Sequence, residues 1–188
     1  GAIQENSDMP VHLLLRAPGR EVAVMKMQET FTKWKLGKFK RDRYTYHTGD
    51  VTLPNMGLKQ NELNSLKREI GTVVHLAMTP LYHLPYQHFQ RVWLLELERM
   101  IRFCGNPDAP KILHYASSFN ANFFVQQEDF EALNSNAWQS GYAGFKWVAN
   151  EALNNAFDQD LKGCIYDIPL VLGSEGHGIC PTHYSIWM

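Results

Sequence analysis

Long apolar runs are missing from this sequence. No stretch approaches the roughly 20 consecutive apolar residues that span a bilayer. The first ten residues carry Glu5 and Asp8 where an apolar leader would stand. No membrane partner is therefore expected, and the expected location is intracellular, cytoplasmic or nuclear. Cysteine is scarce as well: Cys104, Cys164 and Cys180 are an odd set of three, too sparse for a disulfide framework and in keeping with a reducing compartment. Net charge is almost absent, at −1. There is no low-complexity tract, no Gly/Ser-rich linker and no convincing repeat. No Walker-type loop occurs, and no G-x-G-x-x-G follows a strand, which argues against a nucleotide-driven enzyme.

What is there has ordinary globular proportions: 188 residues, 45% apolar and 20% charged. That much apolar surface excludes a disordered chain. One domain over residues 1–188 is expected, with a flexible tail over 1–9, a basic sheet-plus-helix portion over 10–75, and a helical and mixed portion over 76–188. Charge is unevenly spread. Residues 1–70 hold 12 Lys and Arg against 8 Asp and Glu, and residues 71–188 hold 6 against 11. Such asymmetry points to one basic face and an anionic partner.

The pattern predicts an α+β protein: an N-terminal antiparallel meander followed by helices, with a second strand–helix–strand segment packed on it. Val11–Arg16 is a short apolar run closed by Pro18-Gly19. Glu21–Gln28, Thr30–Leu36 and Lys38–His47 alternate with period two and read as strands. Leu58, Leu63, Leu66, Ile70, Val73 and Val74 fall at helical spacing, with Gly71 as an interruption. Phe89–Phe103 is a nearly continuous apolar helix, ended by Gly105-Asn106-Pro107. Lys111–Ala116 and Ala121–Gln126 read as strands, Glu128–Trp138 and Tyr142–Phe157 as helices, and Cys164–Leu172 as a strand whose Pro169 marks an edge or a bulge.

Residues 33–43 carry six basic side chains in eleven positions. Lys33, Lys35, Lys38, Lys40, Arg41 and Arg43 would neutralise phosphates and release counterions. Trp34, Phe39, Tyr44 and Tyr46 are interleaved or adjacent, and flat rings stack on unpaired bases. This predicts a single-stranded DNA or RNA binder with no cofactor. The competing reading makes the lysines the solvated face of an amphipathic edge strand.

Leu58-Lys-Gln-Asn-Glu-Leu63-Asn-Ser-Leu66-Lys67-Arg-Glu-Ile70, preceded by Glu21-Val-Ala-Val24 and the basic stretch Lys33 to Tyr46, resembles the helix and strands of the positive cofactor four family. The related whirly proteins share the sheet-then-helix logic. Over residues 21–75 the resemblance implies a curved four-stranded sheet, one helix, a homodimer and single-stranded DNA as ligand. The six basic residues would then line the sheet's binding side.

Two other readings stand beside this one. Twelve asparagines, 23 aromatic residues and the tail ending Tyr184-Ser-Ile-Trp187-Met188 suit a structural or protein-interaction module of a larger assembly. Cys164, His177, Cys180 and His183 form Cys-x12-His-x2-Cys-x2-His, a ligand set for zinc though not a finger spacing. Cys180 with His177 or His183 as its base is the corresponding hydrolase reading. His75, His83 and His88 surround Pro85 and read as turn and helix-start residues.

Overall fold

The computed structural model describes residues 9–78, 81, 83–119, 121 and 141–169. They divide after Leu58 into two compact units.

The first unit is a strand–helix–strand. Strand β1 is Val11–Leu15, helix α1 is Arg20–Lys33, and strand β2 is Tyr44–Thr48, entered through a short 3-10 turn at Arg41–Arg43. β1 and β2 are parallel, in register from Val11 opposite Tyr44 to Leu15 opposite Thr48. Parallel neighbours need a long crossover, and α1 is part of it. Ala23 and Val24 of α1 pack with Tyr46, and Leu13, Leu15, Met27, Phe39 and Tyr44 close around them. The antiparallel meander expected here is therefore corrected. Glu21–Gln28 and the first residues of the next predicted strand form one helix. Its stretch REVAVMKMQETFTK is dominated by Arg, Glu, Ala, Met, Lys and Gln, all strong helix formers. The alternation of Val22 and Val24 with Ala23 and Met25 also fits a helix that buries Ala23, Val24 and Phe31.

The second unit begins with helix α2, Gln60–Glu69, and strand β3, Thr72–His75. Leu63 and Leu66 are the buried stripe of α2. The apolar spacing that continues to Val74 belongs instead to a strand, because Thr72-Val73-Val74 is β-branched and stiff at χ1. Next come helix α3, Tyr86–Phe89, a π-helical turn over Gln90–Leu94, and helix α4, Leu95–Cys104. Strand β4, Ile112–Ser118, helix α5, Gly141–Asp158, and strand β5, Gly163–Ile168, follow among the described residues. Among the described residues its sheet is parallel, in the order β3-β4-β5.

Mixed helix and strand content is thus as expected, and the strand direction is not. Phe89, Leu97, Leu113, Phe145 and Leu153 are among the fully buried apolar side chains of this core, with Trp93 and Phe103 buried beside them. Phe89 stacks on Phe145 at 5.9 Å and meets Tyr142 edge-on at 6.2 Å. Gly141 allows this approach: a Cβ there would collide with the Tyr86 nitrogen and the Pro85 carbonyl carbon. The buried Lys111 donates to the carbonyls of Lys67 and Ala109, which ties the last turn of α2 to the start of β4. The expected strand over 121–126, apart from Ala121, and the expected helix over 128–138 lie outside the described residues, as do the first eight residues and the aromatic tail.

Candidate functional site

In open parallel sheets ligands bind beyond the carboxyl ends of the strands. In the second unit that edge gathers polar side chains which the apolar core leaves room for. β4 alternates, so Leu113, Tyr115 and Ser117 face one way and are buried. Helix α5 covers this face with Phe145, Lys146, Ala149 and Leu153. Lys146 is only 3% exposed. Its ammonium donates to the Ala116 carbonyl at 2.7 Å and to the Tyr115 hydroxyl at 3.2 Å, and it stands 4.5 Å from the centre of the Tyr115 ring. Burial pulls its pKa down to about 8, against the upward pull of Glu96 and Asp167. The same burial pushes the Tyr115 hydroxyl well above the ordinary tyrosine range.

Tyr142 lies four residues before Lys146 on α5, so the two share a helix face. It is in the first turn, where the helix dipole favours a phenolate. Ser117 donates to the Asn150 side-chain carbonyl at 2.6 Å, and the Asn150 amide donates to Asp167 at 3.3 Å. At the end of β3, His75 Nε2 is 2.6 Å from Glu96 Oε1, both side chains being buried. A lysine of lowered pKa, a tyrosine on its helix face and hydroxyls at one strand end can together give a proton to a developing oxyanion.

The first unit carries a second polar edge. A cavity of about 350 Å³ at the ends of β1 and β2 is lined by Arg16, Pro18, Lys26, Gly49, Asp50 and Gly57 among others. Arg16 Nε is 2.7 Å from Asp50, and Lys26 donates to the Arg16 carbonyl. Burial would raise the Asp50 pKa, but hydrogen bonds from Thr52 and Arg16 bring it below the ordinary carboxylate value. Gly49 has no space for a side chain, since a Cβ there would collide with the Met56 carbonyl oxygen. Two cations lie near α1, whose Gly19 N-cap offers no side-chain hydrogen bond, so its first amides can meet an anion.

Residues 3–188 match the sequence pattern of an NAD-binding family described as male sterility protein. The chain belongs to this family. It is 23% identical over 190 residues to a linear gramicidin synthase subunit of Brevibacillus parabrevis, covering 96% of this chain and 4% of that protein. It is 26% identical over 182 residues to aldehyde reductase lnbA of Aspergillus flavus, covering 89% of this chain and 18% of that protein. Its fold is similar to the terminal R domain from the myxalamid PKS-NRPS pathway, with a TM-score of 0.83 at 21% identity. That match covers 98% of this chain and 48% of that one. This member of the NAD-binding family thus spans under half of that R domain and a small part of the two curated relatives.

Family membership corrects several expectations. The resemblance of residues 21–75 to positive cofactor four and whirly proteins does not hold, and single-stranded nucleic acid is withdrawn as function and partner. The expectation of no cofactor is overturned, because the family is NAD-binding. The basic segment also folds differently from a binding sheet. Lys33 ends α1 with its ammonium 5.0 Å from the Trp34 ring centre, and Lys35 turns the chain at φ 47°. Lys38 and Lys40 flank Phe39, whose ring packs on Phe31 and Tyr44. Arg41 pairs with Glu21, Arg43 leads into β2, and Tyr46 is buried. Three of the four aromatic side chains thus pack in or around the first unit's core. Among the described residues no group of three or more His, Cys, Asp or Glu is placed to hold a metal ion. Cys164 is exposed on β5, while His177, Cys180 and His183 lie outside the described residues. No helix among the described residues is long and apolar enough to cross a membrane.

The residues missed in the sequence are Tyr142, Lys146, Glu96, Ser117 and, as a polar partner, His75. One signal was available: Tyr142 and Lys146, four apart on a predicted helix, with the lysine among apolar neighbours.

Proposed function

We propose that this chain is the dinucleotide-binding part of an NAD(P)H-dependent reductase. Its substrate in this reading is an acyl thioester, or the derived aldehyde, delivered by a nonribosomal peptide or polyketide synthetase. The buried Lys146, on one helix face with Tyr142 at the carboxyl edge of a parallel sheet, is the observation that carries the reading. The names of the relatives, a gramicidin synthase and an aldehyde reductase, support the substrate class.

The first unit by itself offers groups suited to an anionic phosphate: Arg16, Lys26 and the open N-terminus of α1 give positive potential beside a cavity. When bound, the nicotinamide supplies a hydride to the substrate carbonyl carbon. Tyr142 gives its hydroxyl proton to the carbonyl oxygen. Lys146 stabilises the phenolate left behind, and Ser117 and Ser118 bring hydroxyls to the same strand end. Tyr115 is less suited to this task, because burial holds its proton too firmly.

Titration of the chain with NADPH and with NADH, followed by nicotinamide fluorescence, tests the reading. Saturable binding of a dinucleotide that weakens in Arg16→Ala is the expected result. No binding of either dinucleotide overturns it.

A further inference from the structure

A buried pair in the second unit takes no part in the steps above. Glu96 turns inward from α4 and is 2% exposed, and its partner His75 is the last residue of β3. Burying a carboxylate is costly unless it is paired. The His75 ring leans on the Tyr115 ring, with centroids 5.4 Å apart and planes at 31°. Tyr115 in turn accepts a hydrogen bond from Lys146. Side chains from β3, α4, β4 and α5 thus form one contact series that ends on the buried ammonium. Two features of the backbone build it. The parallel register sets His75 opposite Tyr115. The π turn over Gln90–Leu94 adds a residue to the helix just before Glu96, which changes the face that α4 presents, and such turns concentrate at functional sites.

We propose that Glu96, anchored by His75 and acting across Tyr115, is a positioning residue that keeps Lys146 a charged donor. The proposal rests on the reading of Lys146 as the working ammonium of a reductase. Lys146 contacts Tyr115 and the Ala116 carbonyl from β4, feels the charges of Glu96 from α4 and Asp167 from β5, and has Tyr142 one turn before it on its own helix. Glu96 and Asp167 are the two carboxylates that favour its charge. Asp167 is exposed, and water screens it, whereas Glu96 is buried and is screened far less. Glu96 is therefore the carboxylate whose removal Lys146 feels most.

The test is an NMR titration of the full chain labelled with ¹³Cε-lysine, with the Lys146 signal assigned by its loss in Lys146→Arg. In Glu96→Gln the Lys146 midpoint moves to lower pH. In Glu96→Asp, which keeps the charge, it stays close to that of the unaltered protein. Tyr115→Phe keeps the ring and removes only the acceptor, and it too moves the midpoint down. An unmoved midpoint in folded Glu96→Gln protein overturns the proposal. Where that variant does not fold, an unmoved midpoint in Tyr115→Phe overturns it. The readout is the Lys146 proton and not turnover. A failure here therefore leaves the reductase reading standing, and a failure to bind dinucleotide leaves this titration standing.

Discussion

The Lys146 ammonium donates to the main-chain carbonyl of Ala116 at 2.7 Å, which joins the first half of α5 to the second half of β4. The bond satisfies a buried charge with a backbone acceptor, and it fixes where the ammonium stands relative to Ser117 and Tyr142. Its cost is visible in the lysine's lowered pKa.

That cost has a pH signature. Lys146 titrates at about 8 in the folded chain and near 10.5 when unfolded. Between these values the unfolded chain binds more protons, so this group's penalty shrinks as pH rises from 8 toward 10.5. Below pH 8 the penalty is about 3 kcal/mol, from roughly two and a half units at 1.36 kcal/mol each. Lys146→Met removes it. Urea unfolding at pH 7 and pH 9.5 should show the unaltered protein gaining on the variant as pH rises. A difference that does not change with pH contradicts the burial of the charge.

Tyr142→Phe should leave dinucleotide affinity close to normal and lower kcat by roughly 10²–10⁴-fold, the usual range for losing a positioned proton donor. Tyr115→Phe should lower it much less. Steady-state kinetics with NADPH and a small aldehyde make the comparison. A larger loss in Tyr115→Phe would exchange the roles of the two tyrosines.

Gly141→Ala places a methyl group against main-chain atoms of Leu84, Pro85 and Tyr86, none of which can swing aside. A loss of about 3 kcal/mol or more is expected, the upper end for overpacking. Gly71→Ala meets no atom within 4 Å and should shift stability by less than about 1 kcal/mol. Thermal unfolding of the two variants side by side checks both.

Asp50 is held below the ordinary carboxylate pKa by Thr52 and Arg16, which outweigh its burial. Its contribution is complete above the unfolded value of 3.8 and is lost as pH falls through the lower folded value. Asp50→Asn should therefore flatten the acid limb of the stability curve below about pH 4 and leave the slope between pH 6 and 8 unchanged. Arg16 is largely exposed, so the effect is small.

Much of the second unit is legible in the residues. The apolar helix before Gly105, the helix from Tyr142 and the strand at β4 follow from local periodicity, which depends only on neighbours in the chain. The first unit shows the limit of that reading. Over Glu21–Gln28 the alternation of apolar side chains fits a strand. The helical face of Ala23, Val24 and Phe31 becomes decisive only once β1 and β2 lie side by side to receive it.

What the sequence by itself determined is composition, the mixed helix and strand content, most element positions in the second unit, and the Tyr142–Lys146 spacing. What only the tertiary structure decided is that the strands run parallel, and that His75, Glu96, Tyr115 and Lys146 converge. Strand direction depends on crossovers, and these four side chains come from four separate elements. Their chemistry arises from burial among one another, which no local pattern of residues records.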